Sequence, residues 1–135
     1  MLLKPNLSEF AQAIDQPWLT LDLLPDQLRH WGQHIPMLMV SLGQQGLMLS
    51  HQGSLWNGQV DMDQHQVIDT VGCGDAMLAG CLMQLSRSPH DIPLLITTAL
   101  SVATANATVV GAGNFDPQFA QSLAPACQVK ILPFG

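Results

Sequence analysis

Apolar residues along this chain of 135 residues fall into short unbroken runs and longer runs with helical spacing, separated by turn residues. "MLLKPN" opens as a short apolar strand that stops at Pro5, and "NLSEFAQAI" follows with a helix-start composition in which Asn6 or Ser8 is the cap. A second helix is predicted in "LPDQLRHWGQH", where Leu24, Leu28 and Trp31 lie along one side and Gly32 and Pro36 close it. "PMLMVSLG" is a continuous apolar run of the kind a strand covered on both faces shows, and "QQG" turns it into a further strand, "LMLSH". "HQGSLW" and "NGQV" add glycine-containing turns between short extended pieces, which predicts an antiparallel hairpin region and hence a mixed sheet.

The second half of the chain is helical in pattern. Met77, Leu78, Cys81, Leu82 and Leu85 form a broad apolar face, predicting a largely buried helix. "DIPLLITTALSVATANATVV" reads as a long helix with proline in its first turn and a small-residue face, Ala99, Ala103 and Ala107, suited to close packing. "DPQFAQSLA" predicts a short helix capped by Asp116, and "QVKILPF" a closing strand. Strands mixed with helices in this way make the chain α/β.

Composition bounds the size and the partners. At 47% hydrophobic, 135 residues suffice for one modest domain or part of one. Lys4, Arg29, Arg87 and Lys130 are the only basic side chains apart from histidine, and the net charge is -6, so a nucleic-acid footprint is not expected. Cys73, Cys81 and Cys127 are odd in number and form no C-x-x-C pair, which argues against a disulfide framework or zinc cage and for a cytoplasmic setting. Pro, Gly and polar residues break the apolar stretches short of a membrane span, so no membrane partner is expected. His30 and His34 share a helical face, but "HWGQH" lacks the glutamate of a metalloprotease motif, and the pair is read as solvated.

The candidate chemistry sits in "DTVGCGDAMLAG", residues 69–80. A Gly-x-Gly turn before a helix points unpaired N–H groups outward at the positive end of the helix dipole, where an anion is stabilised. An acid at Asp75 repels a statically bound phosphate, yet serves a reaction in which a proton leaves while negative charge develops nearby. Phosphoryl transfer to a hydroxyl has that requirement. By itself the stretch better suits an ordinary helix start with an acid in its first turn. A Walker loop is excluded because Gly80 is followed by Cys81, and a dinucleotide fingerprint because Met77 replaces its third glycine.

Three stretches in this order, "KPNLSE", "VSLGQQG" and "DTVGCGDAMLAG", resemble motifs of the PfkB family of carbohydrate kinases, which have the ribokinase-like fold. The phrases "KPN", "VSLG" and "TVGCGD" are most similar to the phosphosugar branch, which contains 1-phosphofructokinase and tagatose-6-phosphate kinase. The resemblance extends over the whole chain but corresponds only to the C-terminal part of such a kinase; the family's N-terminal signature, sugar-binding residues and lid have no counterpart. It implies a three-layer α/β/α fold with a mixed, mainly parallel sheet, and residues 1–135 forming the ATP-binding and catalytic-base part.

The resemblance also implies roles. Asp75 is the general base, and the backbone of Gly72, Cys73 and Gly74 the anion hole for the transferring phosphoryl group. Ser41, Gly43 and Gly46 form the turn over the nucleotide, with Gly74 and Asn106 also on the cofactor side. Asn6 and Glu9 help hold Mg2+ and its waters, and combine that with a helix cap. Asp69 and Thr70 lie near where some members bind a monovalent cation such as K+. The implied partners are ATP and a sugar phosphate, with a homodimer in the full-length enzyme; the chain alone is expected to be inactive. Two other readings stay open: an ATP-binding module without catalysis, and a non-functional remnant of a kinase.

Overall fold

The computed structural model describes residues 2–61 and 67–133. Met1 and Phe134, at the ends of the first and last predicted strands, lie outside the described residues. By its contacts the chain divides into two compact units, Met1–Asn57 with Lys130–Gly135, and Gly58–Val129.

In the first unit, β1 (Leu2–Leu3) gives way at Pro5, and Asn6 starts α1 (Leu7–Ala13). Asn6, not Ser8, is the cap, because its backbone is extended while its side chain takes the Glu9 N–H. The second helix, α2 (Leu24–Trp31), has Pro25 in its first turn and ends at Gly32. β2 (Met37–Ser41) is buried at four successive positions, the pattern of a strand covered on both faces. Its alternate residues Leu38 and Val40 enter one core with Phe10 of α1 and with Leu24 and Leu28 of α2. Trp31 is packed at the rim of that core.

A single 3-10 turn, Gly43–Gln45, reverses the chain into β3 (Leu47–His51). β2 and β3 pair antiparallel with Val40 opposite Met48, whereas β1 and β2 pair parallel with Leu2 opposite Met37. Gln52 and Gly53, both with positive φ (49° and 80°), make the next hairpin turn and lead into β4 (Ser54–Val60). The sequence pattern places a second turn at "NG", but Asn57 and Gly58 lie inside β4, where Asn57 Nδ2 donates to the Leu47 carbonyl at 3.4 Å. Flanked by residues already committed to pairing, the dipeptide has no reversal to make.

The second unit is built on two long helices, α3 (Cys73–Arg87) and α4 (Ile92–Ala107), followed by α5 (Pro117–Ser122). Asp91 and Asp116 cap α4 and α5 as expected. Gly80 faces α4, and a Cβ there would lie at ordinary contact distance, 3.4 Å, from Val102 Cγ2. Thr98 Oγ1 donates across the same contact to Gln84 Oε1 at 3.3 Å. Ala99 and Ala107 of the small-residue face are buried and Ala103 half-buried. The expectation that α3 is largely buried is corrected. Its buried stripe is Met77, Gly80, Cys81 and Gln84, while Leu78 and Leu82 are 37% and 57% exposed. Those two leucines stand one residue on from the stripe, about 100° around the helix, and so leave the packed side.

The strand order is β1-β2-β3-β4-β5, with β5 spanning Cys127–Leu132. The mainly parallel sheet expected from the resemblance is also corrected, because β1–β2 is the parallel pair. β3 and β4 are joined by two residues, which only an antiparallel pair permits. The Asp61 N–H, just past the end of β4, donates to the Ala126 carbonyl, just before β5, so those neighbours also run antiparallel. Among the described residues no helix is long and apolar enough to cross a membrane.

Candidate functional site

In the first unit the fold joins two of the three sequence motifs. The Ser41 N–H donates to the Pro5 carbonyl at 3.0 Å, and Asn6 forms a parallel bridge with Ser41. Asn6 and Glu9 make a reciprocal capping box: Glu9 N–H to Asn6 Oδ1 at 2.8 Å, and Asn6 N–H to Glu9 Oε1 at 2.9 Å. The box orients both side chains and uses one oxygen of each; Glu9 retains its second carboxylate oxygen on the exposed side. Beside them the turn after Ser41 is held by Leu42 N–H to the Gly46 carbonyl at 2.8 Å. Gly43 has φ +60° with open space where a Cβ would stand, so glycine is needed there for its backbone and not for contact.

The second unit carries the third motif. Gly72, with φ 76°, is the residue before α3, and Asp75 lies in the helix's first turn. In α1, α4 and α5 a side chain accepts a first-turn N–H, but α3 begins on a glycine that has none to offer. The first-turn amides of Gly74 and Asp75 have no carbonyl four residues back within the helix. The Cys73 N–H donates to the Thr70 carbonyl at 3.2 Å, and the Ala76 N–H closes the first turn on Gly72 at 2.8 Å.

Two side chains tie this turn to the loop after α4. Asp69 accepts the Val71 N–H at 2.9 Å and the Gly111 N–H at 3.0 Å. These two bonds, Gly111 first, hold its carboxyl below the usual carboxylate range. Asn106 is fully buried; its Nδ2 donates to the Val71 carbonyl at 2.8 Å and lies 3.4 Å from Cys73 Sγ. Its Oδ1 accepts the Gly113 N–H at 2.7 Å. With both ends of its amide engaged, Asn106 is built to hold backbone more than to reach a nucleotide. Sequence reasoning missed Gly111 and Gly113 as participants; the signal available was a Gly-Ala-Gly run following a long helix.

Other candidates are quieter. Among the described residues no group of three or more His, Cys, Asp or Glu side chains is arranged to hold a metal ion. The donors present at Asn6 and Glu9 suit Mg2+ that arrives with phosphates and keeps its own waters, since such an ion needs only one or two protein carboxylates. His30 and His34 are exposed with ring centroids 6.3 Å apart. Burial raises the Cys127 thiol above its ordinary value.

Comparison with known proteins finds relatives of this chain. The family model described as pfkB family carbohydrate kinase matches residues 1–118. A 1-phosphofructokinase from Vibrio cholerae is 30% identical over 133 residues, which cover 97% of this chain and 41% of that protein. The crystal structure of phosphofructokinase-2 from Escherichia coli in complex with potassium superposes with a TM-score of 0.82 at 17% identity, covering 92% of this chain and 40% of the other. Ribokinase from Thermotoga maritima gives a TM-score of 0.71 at 18% identity, covering 92% and 42%. The chain therefore spans about two fifths of the length of the relatives it matches.

Proposed function

This chain belongs to the pfkB family of carbohydrate kinases, and from that premise we propose that it is the nucleotide-binding and catalytic-base part of an ATP-dependent kinase acting on a sugar-phosphate hydroxyl. The observation that carries the reading is the start of α3: a left-handed glycine with no side-chain cap, and an acid three residues on, in the helix's first turn. Backbone N–H groups of Gly72, Cys73 and Gly74 supply dipoles where charge develops on the transferring phosphoryl group. Cys73 exchanges the Thr70 carbonyl for a phosphoryl oxygen in doing so. Asp75 takes the proton of the acceptor hydroxyl as its oxygen bonds the γ-phosphorus of ATP and the bond from that phosphorus to the bridging oxygen breaks, with ADP as the leaving group.

The first unit carries the residues assigned to the nucleotide and to Mg2+. The Ser41–Gly46 turn, with Gly43 and Gly46 lacking side chains, lets backbone approach the nucleotide. Asn6 and Glu9, oriented by their capping box, hold the waters of Mg2+; bound to the phosphates, that ion supplies charge neutralisation. Asp69 and Thr70 are assigned to a monovalent cation, in line with the potassium complex of the Escherichia coli relative. The acceptor is a sugar phosphate of the 1-phosphofructokinase or tagatose-6-phosphate kinase type, following the Vibrio cholerae relative.

Calorimetric titration of the 135-residue chain with ATP and Mg2+ tests the nucleotide half of this reading. Saturable heat that disappears without Mg2+ and weakens in Glu9→Gln is the expected result. A chain that folds but gives no saturable heat is a remnant, and the reading fails.

A further inference from the structure

We infer that Asn106 is a positioning residue: its buried amide fixes the Gly72–Asp75 turn against the Gly111–Gly113 loop, and through that turn sets where the phosphoryl group is held. The inference rests on the proposed role of that turn as the phosphoryl cradle. Asn106 is the penultimate residue of α4, fully buried and out of reach of solvent. A buried primary amide is costly unless its donors and acceptor are used. Here one N–H bonds the Val71 carbonyl immediately before Gly72, and the oxygen bonds the Gly113 N–H. A single planar group thus spans the two loops.

Two further observations belong to the same clamp. The Asp69 carboxylate bonds both loops in parallel, through the Val71 and Gly111 N–H groups. A Cβ on Gly72 would collide with Ala112 Cβ, so the Gly111–Gly113 loop is pressed directly against the backbone of the turn. The Ile68 and Asp69 N–H groups also bond the Ala107 carbonyl at the end of α4, at 2.7 and 3.1 Å, so the clamp adds side-chain bonds to a backbone anchor on the same helix. A leucine of similar volume could fill the same space but would leave the Val71 carbonyl and the Gly113 N–H without their side-chain partner. What the asparagine contributes is therefore direction and not packing: it holds the carbonyl of Val71 inward.

Amide hydrogen exchange on the 135-residue chain tests this without reference to activity. In the unaltered protein the Gly113 N–H should be protected far beyond that of its exposed neighbour Asn114. Exchange of Gly113 as fast as Asn114 overturns the inference, with no variant required. In Asn106→Ala, amides of residues 72–76 and 111–113 should exchange at least about tenfold faster while those in the middle of α3 and α4 stay unchanged. If that variant does not fold, Asn106→Asp keeps the acceptor for Gly113 and removes the donor to Val71, and should loosen residues 72–76 selectively. Unchanged exchange at 72–76 in the folded variant overturns the inference. The affinity for MgATP should weaken in parallel, at least about tenfold, and return toward the original value in Asn106→Gln only if the longer amide re-forms both bonds. Should the unaltered chain bind no MgATP, the kinase reading fails, and the exchange data still decide whether Asn106 holds the turn.

Discussion

At the scale of single residues, the candidate site depends on a few polar groups whose partners define what they can do. Asp75 stands in the first turn of α3, and its proposed work is proton removal from the acceptor and not nucleotide binding. Asp75→Asn, in a chain completed to the length of its relatives, should lower kcat by at least about a hundredfold while leaving ATP affinity nearly unchanged. Steady-state kinetics with a sugar phosphate check this, and near-normal turnover removes Asp75 from the mechanism. Asp69 gives a pH prediction. Its folded-state titration lies below the unfolded value of 3.8, so its bonds to Gly111 and Val71 contribute stability at neutral pH that is lost as pH falls through the folded value. Thermal melts of the parent and Asp69→Asn should differ by a constant amount above about pH 5 and converge as the pH drops below that range. The acid of "DTVGCGD" was legible in the sequence as a candidate base; the partners of Asp69 and Asn106 were not. Both bond to residues after α4, and nothing in local sequence marks which buried carbonyl or N–H a side chain will meet.

At the scale of elements, local rules served well. Proline and asparagine ended β1 and started α1, aspartates capped α4 and α5, and unbroken apolar runs became β2 and β3. These depend on residues within a turn or two of each other, which is why sequence alone exposed them. The burial of α3 was misjudged because five apolar residues mark a wide face, whereas contact with α4 selects only the stripe around Gly80. Two glycines in this region should respond oppositely to alanine. Gly72→Ala meets both a left-handed backbone and Ala112, and should cost at least about 1–2 kcal/mol in urea unfolding. Gly80→Ala places a methyl at ordinary contact distance from Val102 in the middle of a helix, and should stabilise by roughly 0.5–1 kcal/mol. Destabilisation by Gly80→Ala would show that the helices are closer than the Gly80 geometry allows.

At the scale of the whole molecule, the chain corresponds to 41% of its Vibrio cholerae relative. Holding donor and acceptor in line is worth up to roughly 7–11 kcal/mol in transfer reactions, so, on the proposed reading of this chain as donor and base part alone, it should form no sugar bisphosphate. Incubation of the purified 135 residues with ATP, Mg2+ and fructose 1-phosphate, fructose 6-phosphate or tagatose 6-phosphate checks this. Robust bisphosphate formation would place an acceptor site within these residues. The amino-acid sequence by itself determined the family, the motif order and the positions of nearly every strand and helix, because those follow from short-range periodicity, caps and turn residues. Tertiary structure decided strand direction, since pairing depends on how connections fold back; it decided which leucines of α3 lie outside the packed stripe, since that depends on a neighbouring helix. It also joined "KPNLSE" to "VSLGQQG" through the Pro5–Ser41 bond, and the turn of "DTVGCGD" to the loop after α4 through Asn106. Those contacts link residues far apart in the chain, and only the folded backbone brings their donors and acceptors within reach.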